Sequence, residues 1–152
     1  MFVFRKSIGI RHLVCGSCNG CEHEMNALTN AYYDITHEGW DIVASPRHAD
    51  LITVSGPMTE AMRVAARETL QAVPTPRLIV AIGDCAAGEG AWCGAPFAGV
   101  GAGVELGASV VVRGCPPTPA AIRAGLRQAA LALDESGREA ERHPESSAPK
   151  NE

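Results

Sequence analysis

The run Arg77-Leu78-Ile79-Val80-Ala81-Ile82 constrains the fold more than any other stretch of the chain. From Leu78 on it is apolar without alternation, which suits a strand covered on both faces, and such strands belong to parallel sheets. It leads directly into Gly83-Asp84-Cys85. Asp50-Leu51-Ile52-Thr53-Val54 and Ser109-Val110-Val111-Val112 read the same way, while Trp40-Asp41-Ile42-Val43 and Ile8–Val14 read as shorter or looser strands. Helical stretches lie between them. Residues 21–33 contain neither Gly nor Pro and place Met25, Leu28 and Tyr32 on one helical face. Met58, Met62, Ala65, Ala66 and Leu70 form a second stripe, opened by Ser55-Gly56-Pro57 and ended before Pro74 and Pro76. A short helix is expected within 98–106. Ile122, Leu126, Ala129, Ala130 and Leu133 form a last stripe, with Thr118 as its cap and Pro119 at its first position. Strands alternating with helices predict an α/β domain with a mostly parallel sheet.

At 152 residues the chain has the length of one domain. Aromatic residues make up only 5% against 46% hydrophobic, so the core must be built from Val, Ile, Leu and Ala. A net charge of −4 gives no basic stripe for phosphates, and nucleic acid is not an expected partner. No run approaches the ~18 apolar residues of a membrane span. Met1 to Lys6 lead into no long apolar stretch, so no signal peptide is expected and a cytoplasmic location follows. From Asp134 onward the sequence is charged and without period. The expected division is a domain over 1–133 and a disordered polar tail over 134–152.

Six cysteines in a reducing compartment point to ligands before disulfides. Cys15, Cys18 and Cys21 follow one another at three-residue intervals beside Gly16 and Gly20. Cys85 and Cys115 each follow a predicted strand, and ligands in α/β sheets gather at the carboxyl ends of strands. Spacing alone leaves several readings open. Cys15, Cys18 and Cys21 with Cys115-Pro116 match a bacterial ferredoxin run, broken where Met25 stands in place of the next cysteine. A structural zinc site needs a second short-spaced pair, and Cys85 and Cys93 make a poor one. Cys18-Asn19-Gly20-Cys21 also has the form of a redox pair.

Five motifs then occur in order: Gly16-Ser17-Cys18-Asn19-Gly20-Cys21-Glu22-His23-Glu24, Ser45-Pro46-Arg47-His48-Ala49-Asp50, Ser55-Gly56-Pro57-Met58-Thr59, Gly83-Asp84-Cys85-Ala86 and Gly114-Cys115-Pro116-Pro117. Together they resemble the family that joins [NiFe]-hydrogenase small subunits to the 20 kDa subunit of respiratory complex I. The Cys18-x-x-Cys21 spacing is similar to that of the energy-converting, formate hydrogenlyase-type membrane-bound hydrogenases. The resemblance implies a flavodoxin-like three-layer domain and one [4Fe-4S] cluster held by Cys18, Cys21, Cys85 and Cys115, with Cys15 and Cys93 spare. It implies a non-catalytic electron-transfer subunit of an oxidoreductase, relaying electrons between a [NiFe] or [NiFe]-like large subunit and a ferredoxin-like iron–sulfur subunit. Membrane subunits would hold the complex to the inner face of the cell membrane. The alternatives are a complex-I-like NADH:quinone oxidoreductase subunit without hydrogenase activity, and a zinc-bound structural subunit.

The resemblance also marks Glu24 as a residue facing the active-site partner; a carboxylate complementing the helix dipole is the simpler role. Arg47 and His48 are read either as a cation and proton acceptor beside the cluster or as solvated loop charges. Arg113 is read as a structural ion-pair partner or an electrostatic neighbour of Cys115. Trp92 and Phe97, in the glycine-rich segment 86–107, are read as interface anchors.

Overall fold

The computed structural model describes residues 7–142, with side chains placed through residue 136. The readings of Met1–Lys6 and of 143–152 lie outside the described residues. Five strands, β1 (Ile8–Val14), β2 (Trp40–Ile42), β3 (Leu51–Ser55), β4 (Leu78–Ile82) and β5 (Val110–Val112), form one sheet in the order β2-β1-β3-β4-β5. Every pairing is parallel. The helices are α1 (Gly20–Ala27), α2 (Glu60–Ala72), α3 (Ala102–Leu106) and α4 (Pro119–Arg142). This is the flavodoxin-like order, in which ligands bind where the strand order reverses, beside β1 and β3.

The sheet carries a core on each face, as strands with alternating side-chain directions require. Ile8, Ile10, Leu51, Val80, Ile82, Val110 and Val112 pack with Met25 of α1, with Leu28 just past its end, and with Ile122, Leu126 and Ala129 of α4. Leu13, Ile52, Val54, Ile79 and Ala81 pack on the other side with Ala66 of α2, Ala102 of α3 and Met58. α4 is tied to the 3₁₀ turn Ile35–Glu38 by Glu38, which pairs with Arg123 and, at 2.8 Å, with Arg127.

Three elements differ from the sequence reading. α1 stops at Ala27, and Tyr32 is 82% exposed instead of buried. The Asn30 side chain accepts hydrogen bonds from the backbone N–H groups of Tyr32 and Tyr33, each 2.9 Å, and such local bonds compete with the helix. α2 begins at Glu60, after Met58 has taken a positive φ of 61°, so Ala65 faces solvent. α4 passes the expected boundary at 133/134 without a break and runs to Arg142. Loss of apolar period does not end the helix here, since Glu and Arg favour helices and the next proline is Pro144. No described helix is long and apolar enough to cross a membrane.

Candidate metal centre

Parallel strands end on one edge, and the loops leaving β1, β4 and β5 bring cysteines there. Short bonds fix each loop to its neighbour. The Cys15 N–H donates to the Ser55 carbonyl (2.8 Å), and the Thr59 N–H donates to the Cys15 carbonyl (3.1 Å), joining the exits of β1 and β3. The exits of β4 and β5 are joined by Asp84. Its N–H donates to the Gly114 carbonyl (3.0 Å), and its Oδ1 accepts from the Gly114 N–H (2.7 Å). Arg113 and Glu89 close a bidentate pair over the same seam, at 2.9 and 2.8 Å.

Glycines make the room. A methyl group added at Gly83 would lie 2.6 Å from the Cys21 sulfur, 3.4 Å from the Gly114 carbonyl oxygen and 3.8 Å from Pro117 Cδ. One added at Gly90 would lie 2.6 Å from the Cys85 sulfur. One added at Gly20 would lie 3.7 Å from the Cys18 sulfur and 3.8 Å from Pro116. The first cysteine loop, the β4 exit and the Cys115-Pro116-Pro117 turn therefore meet in one cradle. Cys18 and Cys115 are exposed on its rim, while Cys21 and Cys85 are half-buried.

The thiols feel one another. Burial pushes the Cys21 thiol up to about 12, and Glu22, Cys18, Cys85 and Cys115 push in the same direction. Cys85 is raised by burial first, then by Cys115 and Cys18. Cys21 and Cys85, both raised, would ionise beside a positive partner, and bound metal can supply it by displacing their protons. Cys18, Cys21, Cys85 and Cys115 thus form one electrostatic group. Among the described residues, no three His, Cys, Asp or Glu side chains converge as ligands of a single metal ion.

Cys15 is not in that group. It is fully buried in the core on the α2 and α3 side, its sulfur 3.9 Å from the Leu13 carbonyl. Burial, Glu105 and Glu22 raise its thiol to about 11. Cys93 is exposed beside Trp92, whose ring centroid is 5.7 Å from that of Phe97; these two rings are 47% and 55% exposed. Glu24 is half-buried on α1. Arg47 and His48 are exposed on a 3₁₀ turn at the far end of the sheet, where the His48 carbonyl occupies the space a Cβ on Gly9 would fill. From Gly9 to Val14 the strand rises about 17 Å. The reading of these two residues as neighbours of the cysteines is corrected, because the loop crosses β1 near its start.

The sequence reading missed a buried polar network beneath the cradle. Glu22, 9% exposed, accepts hydrogen bonds from the hydroxyls of Ser17 and Ser55 and from His12 Nε2 (3.1 Å). His12 Nδ1 is 2.8 Å from Thr53 Oγ1. Burial alone would raise the Glu22 carboxyl, but the bonds from His12, Ser17 and Ser55 outweigh it and hold it at about 2. The available signal was strand periodicity: on the α1 side, Ile8 and Ile10 give way to His12, and Leu51 gives way to Thr53 and Ser55.

The family described as "NADH ubiquinone oxidoreductase, 20 Kd subunit" matches residues 18–129, a span that holds Cys18, Cys21, Cys85 and Cys115 and leaves out Cys15. The chain is 36% identical over 121 residues to "Probable membrane-bound hydrogenase subunit mbhJ" of Pyrococcus furiosus, covering 80% of this chain and 72% of that protein. It is 34% identical over 131 residues to formate hydrogenlyase subunit 7 of Escherichia coli, covering 86% of this chain but only 51% of the relative. A chain in the structure of the membrane-bound sulfane sulfur reductase, an archaeal respiratory membrane complex, superposes with a TM-score of 0.72 at 27% identity, over 93% of this chain and 79% of the other. The chain belongs to the family of the NADH ubiquinone oxidoreductase 20 kDa subunit, whose members serve in hydrogenase and NADH-quinone oxidoreductase complexes.

Proposed function

We propose that this chain is the electron-transfer subunit of a multi-subunit hydrogenase-type complex and holds one [4Fe-4S] cluster through Cys18, Cys21, Cys85 and Cys115. The observation that carries the reading is the meeting of these four cysteines, from three separate loops, in one cradle that excludes Cys15. The residues present suit such a group. Soft thiolates ligate iron–sulfur clusters, and Gly83 and Gly90 leave space for the Cys21 and Cys85 sulfurs.

Bound there, a [4Fe-4S] cluster supplies one-electron transfer. The chain's own residues supply the holding and the insulation. Asp84 and the Arg113–Glu89 pair keep the Cys85 and Cys115 loops in register. α1 directs its N-terminal end, with Cys21 in its first turn, toward the cradle, where the helix dipole favours negative charge. Cys18 and Cys115 stand exposed, so the rim awaits a covering subunit, and Trp92 and Phe97 offer apolar surface on the loop that follows Cys85. The partners proposed are a [NiFe] or [NiFe]-like large subunit and a ferredoxin-like iron–sulfur subunit, with membrane subunits anchoring the whole to the cytoplasmic face. Bond making belongs to the large subunit in this reading.

Anaerobic reconstitution of the full chain should give about four irons and four sulfides per chain and an EPR signal on reduction. Serine at position 18, 21, 85 or 115 should abolish the native signal, while serine at 15 or 93 should not; stable zinc in place of iron refutes the reading. A second reading, a complex without hydrogenase activity, is favoured by the likeness to the sulfane sulfur reductase chain. A large subunit encoded beside this one that lacks nickel-binding cysteines would select it.

A further inference from the structure

The His12–Glu22 network is larger than fold stability requires. Burying a carboxylate is costly unless every lone pair is answered, and an apolar side chain of similar size would serve packing as well. Yet β1 contributes His12, β3 contributes Thr53 and Ser55, and the first cysteine loop contributes Ser17, all to settle one carboxylate. That carboxylate is carried by the residue that follows Cys21, whose sulfur lies over Gly83 in the cradle. An ionised carboxylate only accepts, so His12 Nε2 donates to it and Thr53 Oγ1 fixes the ring. Ser17 is held twice, since its hydroxyl also accepts from the Asn19 N–H (3.3 Å). The loop between Cys15 and Cys18 is thereby tied to the buried anion.

We infer that Glu22 is a positioning residue that holds the first cysteine loop and sets the electron affinity of the cradle, its fixed negative charge beside Cys21 keeping the bound cluster at a low reduction potential. Adding an electron to a site next to a buried anion is opposed by charge repulsion, which is stronger in the protein than in water. Donors to the carboxylate weaken that repulsion, so losing one donor must act opposite to losing the charge. This inference rests on the cluster-bearing reading above.

The test is a redox titration, followed by EPR, of the full chain reconstituted with iron and sulfide. Glu22→Gln removes the charge and keeps the shape. Its cluster should be about tenfold easier to reduce, a rise of about 59 mV for one electron. Ser55→Ala keeps the charge and removes one donor, so its potential should fall. A loosened loop alone would not place the two variants on opposite sides of wild type. Should Glu22→Gln fail to fold, Ser55→Ala still decides: a fall supports the inference, and no shift overturns it. Two shifts in one direction, or none, with the wild type loaded, overturn this inference alone. A wild-type chain that takes up no iron and sulfide refutes the proposed function and this inference with it.

Discussion

Replacing Gly83 by alanine tests the cradle at its tightest point, and Gly107 supplies the control. Both glycines have positive φ, +88° and +74°. An alanine at either one therefore meets positive-φ strain, about 1–2 kcal/mol. Their surroundings differ. A methyl at Gly107 has nothing within 4 Å, whereas one at Gly83 meets the Cys21 sulfur at 2.6 Å. If the sulfur cannot move, overpacking adds about 1–3 kcal/mol. Gly83→Ala should then cost about 2–5 kcal/mol against 1–2 for Gly107→Ala. If the sulfur does move, the added stability cost vanishes, but a ligand is displaced and loading falls.

The two observables are complementary. Urea unfolding of the metal-free chain, compared at constant slope, reads the strain. Iron and sulfide content after anaerobic reconstitution reads the ligand geometry. Gly107→Ala should load like wild type. A Gly83→Ala protein that matches Gly107→Ala in stability and also loads fully would refute the geometry on which the cradle rests.

Cys15→Ser should keep the full cluster but lose about 1–3 kcal/mol, because a hydroxyl replaces a fully buried thiol; calorimetry and iron content separate the two effects. The acid limb of the stability curve should carry a Glu22 contribution. Its folded carboxyl sits at about 2 against an ordinary value of 4.5. A depressed folded value stabilises fully above the unfolded value and is lost as pH falls from 4.5 toward 2. The contribution is of order 3 kcal/mol, and denaturant midpoints at pH 7 and pH 3 should converge in Glu22→Gln. Arg113→Ala should cost no more than about 1 kcal/mol, since its pair with Glu89 is mostly exposed, and a larger loss of the urea midpoint would give the seam a bigger role than its exposure implies.

The strands and their cysteines were legible because local sequence decides them. Leu78–Ile82 is apolar at every position, and Cys85 follows at a fixed remove whatever the sheet order. Helix ends were less legible, because they turn on competition between nearly equal local bonds. Asn30 stops the chain from continuing α1, and nothing in the spacing of Met25, Leu28 and Tyr32 reveals that its side chain will take two backbone donors. The polar end of α4 misled for the converse reason: absence of an apolar stripe describes what a segment packs against, not whether it is helical. Arg47 and His48 were misplaced because proximity in a motif list is not proximity in space. Only the β2-β1-β3 order shows that their loop must cross β1, and the open face of Gly9 shows where.

The same order explains why the first motif needs two different neighbours. β3 separates β1 from β4 in the sheet, so α1 can bring Cys21 to Gly83 only by reaching over the end of β3. That end is Ser55-Gly56, and both residues are small for a reason the sequence does not show alone. A Cβ on Gly56 would lie 2.6 Å from the Ser17 N–H nitrogen, so any larger residue would lift the first cysteine loop away from the β4 and β5 exits. Ser55 is short enough to fit under the loop and still donate to Glu22. A stretch that reads as a plain turn thus acts as the bridge across which two local cysteines meet two distant ones. The buried carboxylate of Glu22 is placed at that crossing, where its bonds to Ser17 and Ser55 tie the loop to the end of β3.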